Sequence, residues 1–135
     1  MAQQTVRTDA EYMTRFGEDL SDSSKRAKWI GGLDEHEEHE GQSLATRNHE
    51  VIRRWADERQ ARPSTIAGTE QGDRPGVLRF DFPGYDEGRP LTSVSWDDWF
   101  RTFEERDLVF VYQEHLKKGN QSNFFTFDSP HRERG

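Results

Sequence analysis

The chain has no cysteine, which excludes a disulfide framework, thiolate-held zinc, iron–sulfur chemistry and a thiol nucleophile. It is also poor in aliphatic and aromatic core formers. Leu, Ile, Val and Phe make up 25 of 135 residues, near the composition at which chains stop folding on their own. No stretch approaches the ~20 consecutive apolar residues of a membrane helix. Met1 to Ala10 lack the basic start and apolar run of a secretory signal. Positive charge is in deficit, with 19 Lys and Arg against 26 Asp and Glu, a net charge of −7 that repels phosphate in bulk. These absences predict a cytoplasmic protein with no membrane contact and no bound cofactor, and they leave nucleic acid only a local basic face.

The apolar residues that are present are unevenly spread. Residues 1–45 hold six of the 25, residues 46–127 hold the other nineteen, and most of the Trp and Phe fall in the second stretch. The expected organisation is a helical or partly disordered arm over 1–45, a compact domain over 46–127 and a flexible tail over 128–135. A core of about 80 residues without disulfides needs large aromatic side chains, so Trp and Phe are read first as core.

Thr8 with Glu11 forms a capping box before Tyr12, Met13 and Phe16, with Gly17 as a stop. Ser21 or Asp22 can cap a second short helix running through Ala27, Trp29 and Ile30. Thr46 or Asn48 can cap a third, whose Val51, Ile52, Trp55 and Ala56 recur at the helical period before Pro63 stops it. Strands are expected over 64–69 and 77–82, separated by a turn rich in glycine. Ser95 with Asp98 starts a helix whose Trp96, Trp99, Phe100 and Phe103 share one face. Strands over 108–112 and 122–127 follow, joined through Lys117-Lys118-Gly119-Asn120. The order α-β-β-α-β-β with two hairpins predicts an α+β fold: one antiparallel four-stranded sheet carrying two helices on one face.

Thr46, His49, Ile52, Trp55, Ala56 and Arg59, followed by Pro63, Gly68-Thr69 and the run from Leu78 to Gly84, form a distinctive combination. With Ser95-Trp96-Asp97, Trp99-Phe100, Phe103 and Tyr112-Gln113-Glu114, it resembles a family of small uncharacterised prokaryotic proteins, some of which carry the label 1,4-α-glucan branching enzyme. The resemblance covers roughly residues 46–127 and implies one compact domain. It implies no activity, because glucan-active enzymes of that kind need a (β/α)₈ barrel of ~250 residues. The last strand reads Ser122-Asn123-Phe124-Phe125 where the family pattern carries Arg and Lys.

Three groups of residues invite a functional reading. His36, His39 and Glu40 lie in a run of five carboxylates and two histidines and could ligate zinc or nickel, although such a run is ordinarily a solvated surface. Arg47, Arg53, Arg54 and Arg59, extended by Lys117, could face phosphate, although Glu50 and Asp57 stand at salt-bridging spacing from them. Trp29 and Tyr85 are the aromatics placed for a partner contact. No nucleophile elbow, phosphate loop or dinucleotide fingerprint is present, and His49 and His115 are the further histidines an enzyme would draw on first. The leading expectation is a non-enzymatic accessory or protein-interaction module with a protein partner, or a self-associating one. A nucleic-acid-associated protein is the alternative, and a metal-binding protein the second alternative.

Overall fold

The computed structural model describes residues 8–85 and 88–131. Its helices start where side chains cap them. Helix α1 (Asp9–Phe16) carries the full capping box, with the Thr8 hydroxyl accepting from the Glu11 amide at 3.1 Å and the Glu11 carboxylate accepting from the Thr8 amide at 3.2 Å. Helix α2 (Asp22–Arg26) is capped by Ser21 and stops at Ala27. Trp29 and Ile30, expected to continue it, turn extended, and β1 (Lys28–Trp29) pairs in parallel with β2 (Leu44–Thr46). Thr46 is therefore a strand residue. Asn48 caps α3 (His49–Glu58), its Oδ1 accepting from the Val51 amide at 3.0 Å. Besides a short 3-10 helix, Gly17–Asp19, after α1, the remaining elements are β3 (Arg62–Ile66), β4 (Leu78–Asp81), β5 (Leu91–Ser93), α4 (Trp96–Glu105), β6 (Val109–Tyr112) and β7 (Phe125–Asp128).

The fold is α+β, but the predicted single antiparallel sheet is replaced by two sheets. One is mixed and four-stranded, in the order β1-β2-β6-β7, and the other is antiparallel and three-stranded, in the order β4-β3-β5. Both expected hairpin partners do pair, β3 with β4 and β6 with β7. They belong to different sheets because β2 pairs antiparallel with β6, and β5 with β3. The chain accordingly divides into two compact units, Met1–Val51 with Asp107–Gly135, and Ile52–Arg106. The stretch expected as an arm supplies, within its described residues, two helices and strands of the first unit.

In the first unit one sheet face presents Ala45, Val109 and Val111 to Tyr12, Phe16, Leu20 and Ala27, with Met13 and Trp29 packed at the margin. On the other face Leu44, Thr46, Phe110 and Tyr112 are also fully buried, as the continuous apolar run of β6 predicts for a central strand. Asp128, at the end of β7 and expected in a flexible tail, is buried: its carboxylate accepts from the Ser21 amide at 2.8 Å and the Ser24 hydroxyl at 2.6 Å. Residues 132–135 of that tail and residues 1–7 of the arm lie outside the described residues.

In the second unit the aromatic face of α4 is core, as expected. Trp99, Phe100 and Phe103 are buried, and Phe80 of β4 stacks on Trp99 with centroids 5.0 Å apart and packs against Trp55 of α3 at 5.8 Å. Among the described residues no helix is long and apolar enough to cross a membrane.

Candidate functional site

Two loops of the first unit interlock. The 30–43 loop joins β1 to β2, and the 113–124 loop joins β6 to β7, so pairing β2 with β6 brings both to the same end of the sheet. Each loop carries a histidine beside a glutamate, and the pairs are reciprocal. His36 Nδ1 lies 2.8 Å from Glu114 Oε2, and His115 Nδ1 lies 2.6 Å from Glu37 Oε2. Glu114 also accepts from the Glu37 amide at 2.9 Å, so one carboxylate holds both a ring and a backbone. The backbones close in as well: the Gly41 amide donates to the His115 carbonyl at 3.0 Å, and the Gln113 side chain donates to the Gly41 carbonyl at 3.2 Å.

Glycine is required where the loops meet. Gly41 has φ 84°, and a Cβ there would stand 2.7 Å from Lys117 Cγ and 3.3 Å from the Lys117 backbone. Gly119 has φ 97°, and a Cβ there would stand 2.6 Å from Glu40 Oε2. Each loop thus lays a long side chain over the other loop's glycine. The 113–124 loop is also braced internally, since the fully buried Ser122 donates to Gln113 at 3.0 Å and its hydroxyl accepts from the Phe124 amide at 3.1 Å.

The braced loops hold apolar side chains out. Leu116 is 41% exposed and Phe124 is 47% exposed, and Leu33 on the facing loop is 41% exposed. The same two loops carry charges of both signs, Lys117 and Lys118 at the tip of one and Asp34, Glu35, Glu38 and Glu40 on the other, all exposed. Loops that carry both signs together with exposed apolar side chains can meet their own copy, basic tip on acidic loop.

The residues singled out from sequence fall in different places. His36 and His39 do not converge: His36 faces Glu114, whereas His39 Nδ1 lies 3.2 Å from the Glu40 carbonyl. Glu40 spends its carboxylate over Gly119. Among the described residues no group of three or more His, Asp or Glu side chains is placed to hold a metal ion.

The expected basic face is broken up by burial. Arg47 is 2% exposed, its guanidinium 4.3 Å from the Tyr12 ring centroid and its Nε donating to the Leu108 carbonyl at 2.9 Å. Arg59 is 7% exposed, its guanidinium 4.3 Å from the Trp55 ring and donating to the Trp55 carbonyl at 2.9 Å. A planar guanidinium on a long apolar stem is suited to this, because it stacks on a ring and reaches a backbone carbonyl at once. Arg53 is exposed but lies 5.6 Å over the Trp96 ring, and Arg54 is half-buried. Lys117 is exposed, on the interlocked loops of the first unit.

Of the two aromatics placed for a partner contact, Tyr85 is 65% exposed. Trp29 is instead half-buried against the core of the first unit, its indole N–H donating to the Ser24 carbonyl at 3.0 Å. The exposed apolar residues that the sequence did not single out are Leu33, Leu116 and Phe124, and their signal was weak: a lone Leu in a polar loop, or a Phe beside an alternating run, does not show its exposure until the facing loop is placed.

No protein-family model matches this chain, and no curated protein or solved structure matches it.

Proposed function

We propose that this chain is a non-enzymatic protein-interaction module that associates with a second copy of itself through the interlocked loops of its first unit. One observation carries the reading: Leu116 and Phe124 are held outward, at 41% and 47% exposure, on a loop clamped by two His–carboxylate pairs and by close contacts at Gly41 and Gly119. A braced loop loses little conformational freedom on binding, so its apolar side chains contribute more of their burial to affinity. Phe is among the residue types enriched at the centres of such interfaces. The charge pattern supports a copy of the same chain as the partner, because in a two-fold pair the Lys117-Lys118 tip of each copy meets the acidic loop of the other.

Charge reversal tests the reading. Lys117→Glu with Lys118→Glu places like charges across the two-fold contact, and sedimentation velocity is expected to show at least a tenfold loss of association, about 1.4 kcal/mol. An unchanged association constant in the reversed chain, or a monomeric native chain at every concentration, overturns it.

A further inference from the structure

The second unit contains an open cleft of about 580 Å³ whose described lining is Asp57, Gln60, Ala61, Arg62, Asp81 and Pro83. It forms where α3 ends. Gln60 adopts the left-handed conformation, φ 56°, its amide donating to the Asp57 carbonyl at 3.1 Å while the Ala61 amide donates to the Ala56 carbonyl at 2.9 Å. This closes the helix and turns the chain into β3 within two residues. Arg62, the first residue of β3, is then directly opposite Asp81, the last of β4. Directly opposed residues of an antiparallel pair share a face, with Cβ atoms about 5 Å apart.

These polar side chains are not spent on one another. Among the described residues, the side chains of Asp57, Gln60, Arg62 and Asp81 make no hydrogen bond and no ion pair, although a guanidinium and a carboxylate stand side by side on adjacent strands. The described lining therefore offers two carboxylates, one guanidinium and one carboxamide not engaged with other described residues. The carbonyl end of α3 adds partial negative charge at the same place. The complement of two anions and one cation is a molecule with two cations and one anion, and the volume falls within the range of small-molecule sites, roughly 300–1,000 Å³.

We propose that this cleft binds a free basic amino acid of the lysine or ornithine type. The α-carboxylate takes the fork of Arg62, which presents paired donors matched to a carboxylate. The α-ammonium lies against Asp81 beside it, and the side-chain ammonium reaches Asp57 at the end of α3. The Gln60 carboxamide can donate to the carboxylate or accept from either ammonium.

Isothermal titration calorimetry on the full chain with L-lysine tests the proposal, with cadaverine (no carboxylate) and L-norleucine (no side-chain ammonium) as comparators. L-Lysine is expected to bind with a Kd below about 1 mM, and each comparator at least about tenfold more weakly. Arg62→Met should reduce L-lysine to the level of cadaverine, and Asp57→Asn to the level of norleucine, both without a change in melting temperature because both side chains are exposed. The comparators on the unsubstituted chain decide the matter even if a variant misfolds. No heat of binding at about 10 mM L-lysine, or equal affinity for L-lysine and both comparators, overturns the proposal.

Discussion

Arg47 and Arg59 show how far a residue's role depends on what folds against it. Both sit in or beside a stretch whose i,i+3 and i,i+4 charge spacing reads as a solvated face. Each instead lays its guanidinium 4.3 Å over an aromatic ring, Arg47 on Tyr12 and Arg59 on Trp55. The Trp55 contact is local and four residues away, but Tyr12 lies on another helix, which no local spacing reveals. For Arg47 the ring contact and the Leu108 hydrogen bond together predict that Arg47→Ala costs about 3 kcal/mol in denaturant unfolding. Arg47→Lys should recover less than half of that, because an ammonium lacks the planar fork; full recovery would contradict the stacking account. Asp128 gives a pH-dependent counterpart. Burial acts to raise its carboxyl, but the hydrogen bonds from Ser24, Ser21 and Ser129 outweigh it and hold the group below its ordinary value. Its contribution is therefore complete above the unfolded pKa of about 3.9 and is lost as pH falls through the lower folded value. Asp128→Asn should flatten the acid limb of stability below about pH 4, measured by urea unfolding at stepped pH. A native-like slope in the variant would contradict this.

At the scale of elements, legibility followed length and locality. Helix starts were readable because a cap is a contact over three residues: Thr8 with Glu11 and Ser95 with Asp98 form as their spacing says. The short strands β1, β2 and β5 were not, since two or three residues carry no period and their partners lie far along the chain. Trp29 and Ile30 illustrate the ambiguity, grouping with Ala27 as the apolar residues of one helix in the sequence yet turning extended after the five residues that Ser21 caps. The interlocked loops were legible only as ingredients. The run from Asp34 to Glu40 and the Glu114-His115 pair are both visible in the sequence, but their reciprocity follows from β2 pairing with β6. Gly41→Ala tests the interlock directly. A methyl at φ 84° is strained by about 1 kcal/mol and also pushes against Lys117, so the loops should part. Hydrogen exchange at the residue-41 amide, which donates to His115, is expected to accelerate at least tenfold while β6 amides stay protected. Unchanged exchange there would mean the loops are not held by close approach.

At the scale of the whole molecule, composition pointed to a boundary near residue 45, whereas the contacts divide at 51/52 and 106/107. The physical reason is that Leu44–Thr46 is the strand that receives β6, so the apolar-poor front of the chain completes the sheet formed by its apolar-rich end. Removing residues 1–45 takes away β1 and most of β2 and exposes the β6 edge, and the remaining chain is expected to lose its cooperative melting transition. Retention of a sharp transition would contradict that account. The central claim, self-association through the braced loops, is tested most directly by solution mass from light scattering on the full chain and on the Leu116→Ser, Phe124→Ser double variant. Both side chains are substantially exposed, so the variant should stay folded. A native mass of about 32 kDa, twice the 15.8 kDa of one chain, that falls to a single chain in the variant is the predicted result. One-chain mass for the native protein, or an unaltered dimer in the variant, would contradict it.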